Sequence, residues 1–148
     1  NRVCSWAKFK TQDGQEFYVF NVHYDHRGQK AREESSKLLL KKIKSINKDN
    51  LPCILTGDFN IEDDNPAYDE ITKGNLMKDS KKESLLPPYG PLGTFTGFKW
   101  DMLPDRRIDY IFVNDKVKTL HHGTISDNYG KKYPSDHFPV MVKVQLGN

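Results

Sequence analysis

The sequence has little of what builds several common protein classes. Its 148 residues include only two cysteines, Cys4 and Cys53, too few for a disulfide scaffold and too far apart for a zinc knuckle. No run approaches the ~18 apolar residues of a transmembrane helix, and no secretion-signal pattern opens the chain. These absences argue against a disulfide-rich domain, a zinc knuckle and a membrane-spanning protein.

The sequence also lacks a large excess of either positive or negative charge. The formal net charge is +3 with 29% charged residues, and the lysines cluster in 37–48, 78–82 and 116–118 instead of forming one tract. This is a mild lean toward anionic partners, although lysine-rich surfaces also serve solubility. The hydrophobic fraction of 36% is low but sufficient for the core of one domain.

The chain begins with Asn1 instead of Met, directly inside a strand-like run over 3–9. We therefore expect that an upstream segment has been removed or lies on another chain. Such a segment could carry a secretion or lipoprotein signal, so the compartment stays open.

Strand and helix patterns alternate along the chain. Asp13-Gly14 is a strong hairpin signal between two strand-like runs, and the second run is apolar on both faces, which predicts a central strand. Asn65 before Pro66 is typical of a helix start. The predicted strands are 2–10, 16–24, 51–56, 94–98, 107–113, 139–145 and a weaker 117–125; the predicted helices are 30–47 and 66–74, with a long loop over 75–93. The order predicts an α+β fold with helices covering a sheet.

Four polar clusters fall at the ends of predicted strands, at 21–26, 57–60, 107–110 and 135–139. Asp109 lies inside an apolar run, and a buried carboxylate needs a partner. That partner is either Arg106 or Arg107 in a salt bridge, or His137 at the start of the last strand. A histidine held by a buried aspartate is a device of general acid/base catalysis.

Asp58 and Asn60 alternate around Phe59, so both can point into one pocket, although a plain loop explains them equally well. His121 and His122 are adjacent on a strand and point to opposite faces, which indicates surface or packing residues and not a metal pair.

These clusters, in this order, resemble the endonuclease/exonuclease/phosphatase superfamily. The resemblance rests on Gly57-Asp58-Phe59-Asn60, Arg107-Ile108-Asp109-Tyr110 and Ser135-Asp136-His137, while Asp25-His26-Arg27-Gly28 is similar to bacterial members. It implies the C-terminal half of a four-layer α/β-sandwich of the deoxyribonuclease I-like type, with a mixed, mostly antiparallel sheet flanked by helices. Residues 1–148 would then form a single partial domain whose N-terminal half is absent.

The resemblance also implies roles. His137 would activate the attacking water or engage the phosphate, held by Asp109, and Asp58 would position the nucleophile or leaving group. His23 would stabilise charge on the phosphate or leaving oxygen, Asn60 would bind the phosphate, and Asp136 would contribute to a Mg²⁺ or Mn²⁺ site. The expected activity is metal-dependent hydrolysis of a phosphodiester or phosphomonoester by an activated water.

The expected substrate is a phosphate ester, namely nucleic acid, a phospholipid head group or a sugar phosphate. Lys99, Trp100 and the loop 81–93 would border the pocket, where Trp100 either stacks on a base or sugar or caps the core. The family's N-terminal half supplies an Asn and the principal metal-ligating Glu. We expect that half as a partner, possibly as a separate chain; the alternative is a noncatalytic fragment or binding module.

Overall fold

The computed structural model describes residues 2–147, which contain seven strands and two helices joined by loops. In chain order they are β1 (Cys4–Lys10), β2 (Glu16–His23), α1 (Gln29–Ile46), β3 (Cys53–Asp58), α2 (Pro66–Thr72), β4 (Lys78–Asp79), β5 (Asp109–Val113), β6 (Val117–Thr124) and β7 (Val140–Leu146). Strands β1 to β5 form one sheet in the order β1-β2-β3-β5-β4, and β6 pairs with β7. Only β2 and β3 pair in parallel among these strands, so the mixed, mostly antiparallel α+β fold is confirmed.

The opening hairpin is present as predicted. Strands β1 and β2 pair antiparallel around a turn in which Gly14 has a φ of 92°, a conformation that glycine adopts without strain. Strand β2 is central, but its two faces differ. Phe20 and Val22 are buried, whereas Asn21 and His23 are exposed, so the prediction that both faces are covered is wrong at the carboxyl end.

Helix α1 connects the parallel strands β2 and β3 and packs on the sheet through buried Leu39 and Ile43. The buried Ser36 hydroxyl donates to the carbonyl of Ala67 in α2, at 2.9 Å, and ties the two helices together. Leu38, an apolar residue of the same helix, is 57% exposed. It borders a groove between α1 and β1. Neither helix within residues 2–147 is long and apolar enough to cross a membrane.

Two apolar clusters lie on opposite faces of the five-stranded sheet. The larger packs beneath the helices around Phe20, Leu55, Phe59 and Phe112. The smaller packs the other face against β7; it contains Ile111, Val113 and Val117 with Ile54, Val140, Val142, Val144 and Leu146. Cys53 belongs to the larger cluster, whereas Cys4 is exposed on β1. The sheet is thus covered by helices on one side and by the β6 and β7 pair on the other.

Several elements differ from the sequence prediction in their extent or in their presence. Residues 94–98 do not form a strand, because Gly97 and Phe98 have φ angles of 56° and 64° and turn the backbone; only Phe95 makes an isolated bridge, with His137. Strand β3 ends at 58 and not at 56, and β5 begins at 109 and not at 107. The weak candidate over 117–125 is a full strand, and β4 was not predicted.

Candidate active site

Three polar residues lie side by side on neighbouring strands at one edge of the sheet. His23, the last residue of β2, is in register with Asp58, the last of β3, and Asp58 is in register with Asp109, the first of β5. Residues in register project from the same face of a sheet. The sheet therefore brings His23, Asp58 and Asp109 to one place, as expected for polar clusters at the ends of predicted strands.

Gly57 allows β3 to run close to β2 just before the site. It has a φ of 147°, and a Cβ at this position would lie 2.0 Å from the carbonyl oxygen of Val22. Phe59, on the other side of Asp58, is fully buried against Tyr24 and Phe112. The glycine and the phenylalanine together fix the backbone that presents Asp58 and Asn60.

Asp109 pairs with a histidine and not with an arginine. Its Oδ2 lies 2.8 Å from Nδ1 of His137, which is the contact predicted from the sequence. The alternative partners are engaged elsewhere. Arg107 makes two 2.7 Å hydrogen bonds to Asp79, and Arg106 reaches Glu62 at 3.1 Å. The salt-bridge interpretation of Asp109 is therefore wrong.

Asp58 is held from two sides. Its Oδ2 lies 3.3 Å from Nε2 of His23, and its Oδ1 accepts a 2.8 Å hydrogen bond from the backbone N–H of Asn60. The Asn60 side-chain amide donates to Oδ2 of Asp58 at 3.2 Å and to the carbonyl of Tyr24 at 3.1 Å. Asp58 and Asn60 are thus hydrogen-bonded to each other, and the Asn60 amide engages both of its N–H groups within the protein. Of the two side chains, only Asp58 lines the cavity that contains His137.

The charges of the site act on one another. Burial alone would lower the pKa of His137, but the hydrogen bond and charge of Asp109, with the charges of Asp58 and Asp136, outweigh burial and raise that pKa above its ordinary value. Burial raises the pKa of Asp58; the hydrogen bond from Asn60 opposes the rise and the charge of Asp109 adds to it. A histidine with strengthened basicity beside partly desolvated carboxylates is an arrangement suited to proton transfer.

The Asp109–His137 dyad opens onto a cavity of about 370 Å³ whose lining includes Asp58, Asp109, Ser135 and His137. A groove of about 400 Å³ between β1 and α1 is lined mostly by apolar side chains and contains His23 but none of Asp58, Asp109 and His137. Catalysis requires polar side chains such as Asp58, Asp109 and His137, so the cavity that they line is the candidate active site.

The same residues offer oxygen and nitrogen atoms to a cation. One ligand atom each from Asp58, Asp109 and His137 lies within 4.8 Å of the others. Within residues 2–147, neither carboxylate forms a salt bridge with a lysine or arginine. Asp136 is outside this group. Its backbone carbonyl accepts hydrogen bonds from Thr96 and Gly97, and its side chain as a metal ligand stays a prediction.

Other expected residues lie away from the dyad. Trp100 is 49% exposed, with the Lys131 ammonium 4.7 Å from its ring centre; it does not line the cavity, and its contact with substrate stays a prediction. His122 is buried, whereas Nε2 of the partly exposed His121 lies 3.1 Å from the Pro87 carbonyl. A packing role for His122 is thereby confirmed.

Two features beside the site had no signal in the sequence. Asp79 is buried and binds Arg107 and the Tyr68 hydroxyl, the latter at 3.0 Å. Thr94, also buried, bonds to the backbone of residues 108 and 109. A threonine at the start of a predicted strand carries no mark of such a contact, and only the fold reveals it.

Comparison with known proteins finds one matching family profile and several similar proteins. The profile of the Endonuclease/Exonuclease/phosphatase family matches residues 4–137. The structure of the mannosyl-6-phosphatase of Bacteroides thetaiotaomicron is 39% identical and superposes with a TM-score of 0.93, covering 98% of this chain and 57% of that protein. Nocturnin of Drosophila melanogaster is 27% identical over 99% of this chain and 28% of its own length. The catalytic domain of human Nocturnin, at 20% identity and a TM-score of 0.75, shares the fold over 99% of this chain and 53% of that structure. The chain thus spans little more than half the length of the relatives' solved structures.

Proposed function

This chain belongs to the endonuclease/exonuclease/phosphatase family, and we propose that the protein containing it is a metal-dependent phosphoesterase that acts on a sugar phosphate. The observation that carries the proposal is the convergence of His23, Asp58 and Asp109 in register on three strands, with His137 bonded to Asp109. Hydrolysis of a phosphate ester needs a group that takes a proton from water and groups that accommodate negative charge on the phosphate.

His137 is the proton acceptor in this proposal. Asp109 accepts a hydrogen bond from Nδ1 and so orients the ring, which leaves Nε2 to take a proton from the attacking water. The negative charge of Asp109 also stabilises the imidazolium that results. Asp109 therefore acts on the ring and not on the substrate.

Asp58, His23 and Asn60 form the opposite side of the site. Asp58 positions the nucleophile or the leaving oxygen, and the exposed ring of His23 donates to the phosphate. Asn60 takes part in phosphate binding by giving up its longer hydrogen bond, the 3.2 Å contact with Asp58 Oδ2, in favour of a phosphate oxygen. Until then the same bond keeps Asp58 in place.

The donor set fits a hard divalent cation. Carboxylates are the ligands that Mg²⁺ and Mn²⁺ take in phosphate-handling sites, and the site has clustered carboxylates without a lysine or arginine partner among residues 2–147. Asp58 and Asp136 would hold the ion, with further ligands from the part of the relatives' length that this chain does not span. When bound, the ion would neutralise charge on the phosphate oxygens. The comparisons do not support a separate polypeptide as the source of those ligands.

A sugar phosphate is favoured among the candidate esters for two reasons. The 39% identical relative is described as a mannosyl-6-phosphatase. In addition, the net charge of +3 is spread over separate lysine clusters, whereas extended nucleic-acid binding uses a continuous basic stripe.

The test uses the full-length gene product with Mg²⁺, Mn²⁺ or EDTA. For the wild type, His137→Ala and His121→Ala, three products are measured: inorganic phosphate from mannose 6-phosphate, p-nitrophenol from bis-p-nitrophenyl phosphate, and nucleotides from a short RNA. We expect metal-dependent turnover, fastest on the sugar phosphate, abolished by His137→Ala and kept by His121→Ala. Turnover fastest on RNA would overturn the substrate class. No turnover of any ester with either metal would favour a noncatalytic binding module.

A further inference from the structure

Thr94 connects the two segments that carry the catalytic pair. Its side-chain Oγ1 accepts hydrogen bonds from the backbone N–H of Ile108 at 3.1 Å and of Asp109 at 3.2 Å. Its backbone carbonyl accepts a 2.7 Å hydrogen bond from the N–H of Phe138, the neighbour of His137. One residue is therefore bonded to Asp109 itself and to the residue that follows His137.

These bonds are well protected. Thr94 is 1% exposed, and its own N–H donates to the carbonyl of Arg106 at 2.8 Å. A Cβ at the preceding Gly93 would lie 2.3 Å from the carbonyl oxygen of Pro104, so the backbone here passes very close to the segment that leads into β5. The position of Thr94 relative to Asp109 is thus tightly defined.

The next residue reaches the other member of the pair. Phe95 forms an antiparallel bridge with His137, and the two rings meet edge to face with centres 5.1 Å apart. Aromatic rings prefer this arrangement over face-to-face stacking. The ring of His137 therefore contacts both the Asp109 carboxylate and the ring of Phe95, the residue that follows Thr94.

We infer that Thr94 is a positioning residue that sets the Asp109 carboxylate at hydrogen-bonding distance from His137. Asp109 begins strand β5 and His137 lies 28 positions further on, in the segment before β7, so their alignment depends on the contacts that join the two segments. A hydroxyl oxygen has two lone pairs and can accept both N–H groups at once. Valine has the same shape but no acceptor, and would leave two backbone donors without this partner. The kinetic part of the inference rests on the proposed function.

The chain offers a matched control. Thr119 on β6 is also 1% exposed, but its Oγ1 has no hydrogen-bond partner within residues 2–147. Thr119→Val therefore removes a buried hydroxyl without removing a bond to the catalytic segments. Thr94→Ser keeps the acceptor and removes only the methyl group.

The experiment measures kcat, KM and the proton NMR spectrum of the full-length gene product and its Thr94→Val, Thr94→Ser and Thr119→Val variants. Thr94→Val is expected to lower kcat by about 10- to 100-fold with KM within about threefold, because small misplacement of a catalytic group acts on the chemical step. The downfield resonance of the His137 Nδ1 proton, which reports its bond to a carboxylate, should weaken or shift. Thr94→Ser should restore both, and Thr119→Val should change neither.

Wild-type kcat and an unchanged downfield resonance in Thr94→Val would overturn the inference, even if that variant were less stable. Should Thr94→Val fail to fold, Thr94→Cys takes its place, because sulfur is a weak acceptor of similar size; it must then show a loss in the same direction. A wild-type protein without hydrolytic activity would refute the proposed function, whereas the resonance would still decide the positioning role.

Discussion

Nδ1 of His137 lies 2.8 Å from Oδ2 of Asp109, although the two residues are 28 positions apart. The contact joins the first residue of β5 to the loop that enters β7. It pairs a partly buried carboxylate with a ring whose pKa is raised.

Replacing Asp109 by asparagine keeps the size of the side chain but removes its charge. Without that charge the His137 ring loses its orientation and the stabilisation of its protonated form, so we expect kcat to fall by about 10²- to 10⁴-fold in the full-length gene product. Asp105→Asn, at an exposed position outside the cavity, is the control and should retain wild-type kcat. Equal kcat values for the two variants would contradict the role given to Asp109.

The raised pKa of His137 predicts the pH dependence of activity. A general base works in its unprotonated form, so activity should rise with pH through the pKa of His137, and the midpoint of this rise should lie above the ordinary histidine value of about 6.5. In Asp109→Asn the main cause of the increase is removed while burial remains, so the midpoint of the residual activity should move to lower pH. Profiles of kcat/KM against pH measure both. A wild-type midpoint below the ordinary value would refute this prediction.

Gly57 should resist substitution more than Gly74. Alanine at 57 would bring Cβ to 2.0 Å from the Val22 carbonyl and strain a φ of 147°, so we expect a loss of at least about 2 kcal/mol in the free energy of unfolding. Alanine at 74 meets no atom within 4 Å, and we expect a change within about 1 kcal/mol. Urea unfolding of both variants measures the difference. Similar stabilities would show that β2 and β3 can separate at little cost.

His122 should make the stability of the fold sensitive to acid. The ring is 1% exposed, neither nitrogen has a hydrogen-bond partner within residues 2–147, and burial, chiefly, lowers the pKa of His122 to about 4. Between about pH 6.5 and the folded pKa, the unfolded chain binds a proton that the folded protein excludes, so stability falls as pH falls through this window. Because of His122, the free energy of unfolding should fall by about 2 kcal/mol between pH 7 and pH 5.

The comparison for this prediction is His122→Leu. Urea unfolding at pH 7 and pH 5 should show a smaller loss in the variant than in the wild type, because other titrating groups contribute equally to both proteins. The same loss in both would mean that the buried ring accepts a proton without penalty.

The sequence predicted the catalytic pair because both members have unusual surroundings. Asp109 stands in an apolar run and therefore needs a partner, and His137 lies just before the last apolar strand, β7. The hairpin and the parallel β2-α1-β3 unit followed equally from turn residues and apolar periodicity. Local chemistry was sufficient for these features.

Features that depend on distant, weakly marked residues were missed. The run 94–98 has strand-like composition, but Gly97 and Phe98 turn the backbone, and its backbone hydrogen bonds go to two separate segments, at Arg106 and at residues 136 and 138. Arg107 could reach several acids in principle, and its choice of Asp79 depends on β4, a two-residue strand too short to show a pattern. Side-chain acceptors such as Thr94 become visible only when the chain is folded.

The burial of Cys53 gives the protein an internal reporter. Cys53 is 0% exposed in β3 and its pKa is raised to about 12 by burial, whereas Cys4 is exposed on the edge strand. A thiol reagent should therefore modify Cys4 in the native protein and reach Cys53 only when the strands around it open. In a Cys4→Ser background, the rate of Cys53 labelling would follow that opening under native conditions, without denaturant.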